Sequence, residues 1–175
     1  MKIALIGNGR MFEPDAGDKI NRFDRVARIN EYKIKGYENL VGTKTDLWIL
    51  GGTRNWEWSD CPSVWLCYPY GVHKQERAAV EPHLKDRVHG VDIKNIAQVH
   101  QQYGSGPWMP HPTTGLIAMA ILSEMYGKIY IAGFDGMVDG IKHYDGTEGK
   151  TIAHLYKNEA AFIRWLFDNG RVEWI

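Results

Sequence analysis

Two histidines in the last third of the chain have the setting that proton chemistry needs. His143 stands in KHYDG, inside a stretch rich in glycine and aspartate, and His154 opens the last segment of helical periodicity. A helix there puts His154 in its first turn, where the positive end of the dipole disfavours imidazolium and keeps a neutral ring available as a base. Glu159 follows five positions on and so lies on a different face. It suits a residue that ties down a neighbouring loop better than a direct partner of His154. Two readings stay open for the pair: proton-transfer groups beside a mobile loop, or ordinary surface histidines. The other five histidines, His73, His83, His89, His100 and His111, have no comparable setting and read as solvent-facing. No serine or cysteine lies in a nucleophile elbow. Asp135, Asp139, Asp145 and Glu148 gather near the same loop, but their spacing matches no dedicated cation cage, so no metal is expected.

Anion binding is the second chemistry in view. The stretch His111–Asp135, HPTTGLIAMAILSEMYGKIYIAGFD, reads as a turn, a helix and a strand in succession. Thr113 or Thr114 can cap the helix, and Leu116, Ile117, Ala120, Ile121 and Met125 recur at helical spacing. Gly127 stops it, and Ile129–Ala132 is a short apolar run suited to a strand covered on both faces. The hydroxyl-rich turn with Gly115 leaves the first N–H groups of the helix approachable, a good place to hold a phosphate. The plainer alternative is a cap and nothing more.

The elements that would position these residues belong to an open α/β sheet. Lys2–Ile6 is a buried strand opening into Gly7-Asn8-Gly9, a turn that can leave N–H groups free. A glycine turn after a first strand is a usual nucleotide position. No third glycine follows at dinucleotide spacing, so NAD is not favoured. Asp24–Ile29 is a second strand, ending at Asn30, whose amide can donate and accept. Thr45–Leu50 and Ser63–Tyr68 are a third and fourth. Helix-length stretches, Lys74–Leu84 and Asp92–Tyr103, separate later runs, which implies a single, mostly parallel, twisted sheet flanked by helices, Rossmann-like in kind. Gly136–Lys150 has no apolar period and reads as a mobile loop or lid. A long helix from about Thr151 and a final strand Arg171–Ile175 complete one domain over residues 1–175.

Composition narrows the classes of partner. Lys plus Arg equals Asp plus Glu at 21 each, so no overall field draws the chain to nucleic acid or an anionic membrane. Seven Trp and nine Tyr favour stacking on a base or sugar, or core packing; Trp56 and Trp58 are a sugar platform or packing under a sheet edge. Cys61 and Cys67 have no companions at metal spacing, and no apolar run approaches membrane-spanning length. With no signal peptide in MKIALIGNG, a cytoplasmic location is expected. A homo-oligomer is compatible with the sequence.

The residues also carry a family likeness. IALIGNGRMF…INRFDRVARINEYKIKGYENLVGTKTDLWIL resembles the long donor-binding motif of sialyltransferases, with its strand, Gly-Asn turn, F-D-x-V-x-R-x-N run and downstream V-G-x-K/R-T. HPTTGLIAMAIL…KIYIAGFD is similar to their short motif, His143-Tyr144 to the third, and His154-x-x-x-x-Glu159 to the very short motif. All four occur in order across nearly the whole chain. Neither cysteine lies where the animal enzymes' motif-joining disulfide would need it, His111 stands where an arginine is common, and the Gly-Asn-Gly turn leans toward bacterial members. The resemblance implies a glycosyltransferase-A-like variant of the α/β sheet, a CMP-sialic acid donor as co-substrate, a glycan acceptor and no cofactor or metal. It also implies roles. His154 would be the general base. His143 and Tyr144 would steady the departing phosphate. Gly7, Asn8, Asn30, Thr113, Thr114, Gly115 and Asp135 would line the donor site, with Glu159 in support. The expected reaction is an inverting, metal-independent transfer of sialic acid or a related acidic sugar. The alternatives are a CMP-binding module without transfer activity and a CMP-sugar hydrolase.

Overall fold

A computed structural model describes residues 1–51, 61–66, 88–90, 113–135, 143–147 and 156–175. In chain order the elements are β1 (Ile3–Ile6), α1 (Ala16–Asn21), β2 (Arg25–Ile29), α2 (Glu38–Val41), β3 (Leu47–Leu50), β4 (Val64–Leu66), β5 (Val88–Gly90), α3 (Thr114–Tyr126), β6 (Ile129–Ala132), α4 (Tyr156–Asp168) and β7 (Val172–Trp174). The seven strands form one sheet in the order β5-β4-β3-β2-β1-β6-β7. Every described pairing is parallel, so the sheet expected to be mostly parallel is parallel throughout these strands. The cause is visible in the central strands. IALI in β1 and LWIL in β3 are buried at every position, which only a sheet covered on both faces allows.

The two faces differ. On one, Leu5, Ala27, Ile29 and Ile49 meet Leu116, Ile117, Ala120 and Leu122 of α3 and Phe162 and Leu166 of α4 in the larger core. Helix α3 is apolar almost all round, with Gly115 through Ser123 buried without a break, as befits a helix enclosed by its neighbours. Leu122 is fully buried, and truncating it to alanine costs about 2–5 kcal/mol. On the other face Ala4, Ile6 and Val26 pack against Ala16 and Ile20 of α1. Here the sheet buries a cation: the Arg28 side chain is fully inaccessible.

Strands β1, β2, β3, β4, β6 and β7 and helices α3 and α4 fall within the segments their sequence pattern predicts. Strand β5 sits between the two stretches expected to be helical, both of which lie outside the described residues. Helices α1 and α2, of six and four residues, are too short to show a period.

Candidate functional site

The strand order reverses beside β1. Strands β2 to β5 extend to one side of it and β6 and β7 to the other, and the crevice outside the carboxyl ends at such a point is where open α/β sheets bind ligands. The turns leaving β1 and β6 cross there at backbone contact. A methyl group added at Gly7 would lie 2.3 Å from the Gly133 carbonyl oxygen and 2.9 Å from Phe134 Cζ. Gly133 takes φ 73°, a conformation that glycine adopts freely. The N–H groups of Gly7 and Gly9 donate to the carbonyls of Ala132 and Gly133 at 2.8 Å each. Asp135 Oδ2 accepts from the Arg10 N–H at 3.2 Å. The expectation that this turn leaves N–H groups free is therefore corrected at Gly7, Gly9 and Arg10, where the β6 turn engages them.

The turn offers an acceptor instead. Asn8 Nδ2 donates to the Glu31 carbonyl at 2.8 Å and to the Ile29 carbonyl at 3.3 Å. Two carbonyls can be met only by the NH2 end of the amide, which fixes its orientation. Asn8 Oδ1 is left buried with no hydrogen-bond partner among the described residues, and a buried orphan acceptor calls for an explanation. Asn30, between those two carbonyl residues, sits at φ 49°. Its Oδ1 accepts from Gly51 N–H at 2.9 Å and its carbonyl accepts from Trp48 Nε1 at 2.7 Å. The Asn30 NH2 has no acceptor among the described residues.

Gly51 joins this pair to the start of α3. A methyl group there would overlap Thr114 Oγ1 at 1.8 Å and lie 3.4 Å from Asn30 Oδ1. Thr113 is the cap, its Oγ1 accepting from Leu116 N–H at 3.1 Å. Thr114 is the first helical residue, so its N–H and that of Gly115 are among those a helix leaves without internal acceptors. Gly115 is buried, and a methyl group on it would come 2.7 Å from Phe134 Cε1; the absent side chain lets the helix start approach the β6 turn. Gly7, Asn8, Asn30, Thr113, Thr114, Gly115 and Asp135 are thus brought to one edge of the sheet from four separate segments.

Residues 143–147 close over the same turn. Tyr144 N–H donates to the Asn8 carbonyl at 3.0 Å. The Tyr144 hydroxyl accepts from Lys33 N–H at 2.7 Å and donates to the Lys33 carbonyl, and its ring packs edge-on to Tyr37 at 5.4 Å. Its one hydroxyl proton is already placed, so Tyr144 here pins the loop rather than offering a donor to a phosphate. Burial raises the Tyr144 pKa, opposed by the bond to Lys33 and by Arg28. Asp145 Oδ2 pairs with Lys33 Nζ at 3.4 Å. Burial pushes the Asp145 carboxyl up, but bonds from the Thr147 hydroxyl and N–H and the Lys33 ammonium outweigh it, so it stays below the usual aspartate range. His143 lies in this loop, half-buried. His154 lies outside the described residues, as do Asp139, Glu148, Trp56 and Trp58. Glu159 falls on α4, its side chain likewise outside them.

Sequence reasoning gave no role to Arg28, the arginine of the F-D-x-V-x-R-x-N run. Its Nε donates to Thr45 Oγ1 at 2.9 Å and its Nη2 to the carbonyls of Val41 and Gly42 at 2.7 and 3.1 Å. Its guanidinium stands 5.5 Å from the Tyr32 ring centre, and Nη1 is buried without a partner among the described residues. Burial pushes its pKa down to about 10, with Tyr144 and Tyr32 opposing. The available signal was an arginine set between the apolar residues Ala27 and Ile29 in the strand RVARI. Among the described residues no group of three or more His, Cys, Asp or Glu could hold a metal ion, and no helix is long and apolar enough to cross a membrane.

A parallel sheet flanked by helices, with polar residues gathered at its switch point, is a Rossmann-like α/β fold. Residues 2–53 match the family model of glycosyltransferase family 29 (sialyltransferase), and the chain is similar to curated sialyltransferases. It is 23% identical over 221 residues to the human CMP-N-acetylneuraminate-beta-galactosamide-alpha-2,3-sialyltransferase 4, covering 98% of this chain and 63% of that protein. To the lactosylceramide alpha-2,3-sialyltransferase of Rattus norvegicus it is 23% identical over 193 residues, 90% of this chain and 48% of the relative. The chain thus spans less than two thirds of the length of these curated relatives. The crystal structure of a mammalian sialyltransferase shares the fold with a TM-score of 0.76 at 18% identity, over 99% of this chain and 68% of that one. The sialyltransferase CstII from Campylobacter jejuni, in complex with the substrate analogue CMP-3FNeuAc, does so with a TM-score of 0.57 at 13% identity, over 99% and 79%.

Proposed function

We propose that the chain transfers sialic acid, or a related acidic sugar, from a CMP-linked donor to a glycan hydroxyl, inverting the anomeric carbon and using no metal ion. One observation carries the reading: a buried free acceptor on Asn8, the open NH2 of Asn30 and the start of α3 meet at one edge of the sheet. A nucleoside monophosphate offers the complement of each, namely hydroxyl donors, base or ribose acceptors, and an anion for a helix N-terminus. The likeness to family 29 supplies the identity of the nucleotide and sugar.

In this reaction the acceptor hydroxyl attacks the anomeric carbon and its proton passes to His154. The bond from that carbon to the phosphate oxygen breaks, and CMP leaves with the electron pair. The N–H groups at Thr114 and Gly115 and the imidazole of His143 meet the charge that develops. Asn8 and Asn30 hold the nucleoside, and Tyr144 holds the loop bearing His143.

Thermal unfolding with CMP, CDP, UMP and NAD tests the donor site. CMP at roughly 100 times its Kd stabilises by about 2.7 kcal/mol, and Asn8→Ala abolishes that gain while UMP and NAD give little in either protein. Equal shifts from UMP or NAD, or none from CMP, would overturn the reading. Metal independence is checked by transfer in excess EDTA, expected to match that with added magnesium or manganese. A large loss on chelation would turn Asp135 and Asp139 into ligands.

A further inference from the structure

We propose that Thr147 and Asp145 are positioning residues that fix the tautomer of His143 and present its Nε2 toward the leaving group. The inference rests on the sialyl-transfer reading, in which His143 meets the departing phosphate.

Hydrogen-bond counting carries it. Thr147 Oγ1 lies 2.7 Å from Asp145 Oδ1, which also accepts the Thr147 N–H at 3.0 Å. The carboxyl stays below the usual aspartate range, so at neutral pH it is ionised and can only accept. The single hydroxyl proton of Thr147 therefore points to Asp145. Thr147 Oγ1 also lies 3.2 Å from His143 Nδ1. With its proton already placed, the hydroxyl can only accept there, and Nδ1 must be the protonated nitrogen. The backbone repeats the arrangement: His143 N–H donates to the Thr147 carbonyl at 2.9 Å, and Gly146 N–H to the His143 carbonyl at 3.0 Å. At the far end of the relay Lys33 Nζ holds the other carboxylate oxygen at 3.4 Å.

Nε2 is then the nitrogen left for the ligand, with no hydrogen bond among the described residues. Neutral His143 would present a lone pair there, which suits no phosphate. Protonated His143 donates from Nε2 to the phosphate while Nδ1–H remains on Thr147. The relay thus holds Nδ1 on Thr147 and leaves Nε2 as the nitrogen that faces a departing CMP. Thr147 and Asp145 touch the reaction only through the imidazole.

Nitrogen-15 NMR of histidine-labelled protein reads the tautomer without needing turnover. Wild-type His143, when neutral, is expected in the Nδ1–H form, Thr147→Val in the Nε2–H form that free imidazole prefers, and Thr147→Ser back in the Nδ1–H form. Thr147 is exposed, so the folds of these variants can be matched by their amide spectra and unfolding temperatures. In transfer assays Thr147→Val is expected to lower kcat roughly 10- to 100-fold, the scale on which histidines at metal sites lose function without their orienting partner. Acceptor KM stays unchanged and Thr147→Ser restores the rate. A wild-type Nε2–H tautomer, or one indifferent to Thr147→Val, would overturn the relay even if transfer proceeds. A tautomer that follows the prediction with no transfer by any variant would overturn the reaction and leave the relay standing.

Discussion

The two walls of the candidate site are built by opposite means. The wall formed by the β1 and β6 turns is backbone against backbone: Gly7 and Gly9 donate to Ala132 and Gly133, and no side chain larger than hydrogen has room at Gly7. The wall formed by residues 143–147 is held chiefly by side-chain bonds, from Tyr144 and Asp145 to Lys33 and from Thr147 to Asp145 and His143. Backbone contact of the first kind cannot loosen without disturbing the sheet. Partly exposed polar bonds of the second kind are worth little each and exchange readily with water. A rigid wall suits recognition of a nucleotide, and a detachable one suits a loop that, in the proposed reaction, would admit a donor and release a product.

The contrast breaks most sharply at two glycines. Gly7→Ala drives a methyl group into the Gly133 carbonyl and is expected to cost about 3 kcal/mol or to prevent folding. Gly146→Ala meets nothing within 4 Å and strains only φ 81°, costing about 1 kcal/mol. Urea unfolding of the two variants checks both, and similar losses would erase the distinction. Thr114→Val, a change of little volume, is expected to weaken CMP about tenfold, the worth of a hydrogen bond to a charged group, while unfolding stays as in wild type. Titration calorimetry measures it, and unchanged affinity would remove the helix start from the phosphate. The smallest effect is electrostatic. Asp145 has its carboxyl pKa lowered in the folded loop, so its contribution is fully present above the ordinary value of 3.8 and is lost as pH falls through the lower folded value. Amide exchange across residues 143–147 should therefore quicken in acid, and Asp145→Asn should remove that dependence.

What the residues alone reveal follows the same division. The crossing turns are legible because their demands are local: GNG after one apolar run, GFD after another, and a TTG helix start are short signals with one meaning each. Their hydrogen bonds are not, since which N–H groups of the Gly7–Gly9 turn stay open depends on β6, more than 120 residues away in the chain. Asn8 and Asn30 stand out as polar residues at strand ends, but that one presents an acceptor and the other a donor follows only from the carbonyls of Ile29 and Glu31 and the N–H of Gly51. Arg28 belongs to the F-D-x-V-x-R-x-N run, but its burial is not legible there, because a buried cation needs the α2–β3 carbonyls to receive it and nothing in RVARI announces them. Thr147 reads as one more polar loop residue until its hydroxyl is seen between Asp145 and His143.

Sialyl transfer itself is tested most directly by incubating the protein with CMP-sialic acid and a panel of glycans and weighing the products. The expected result is a glycan heavier by one sialic acid residue with CMP released in equal amount, reduced by roughly two to four orders of magnitude in His154→Ala, the range for loss of a general base. CMP released with no glycan gaining mass would instead mark a hydrolase, and neither product with any donor would contradict the transferase reading.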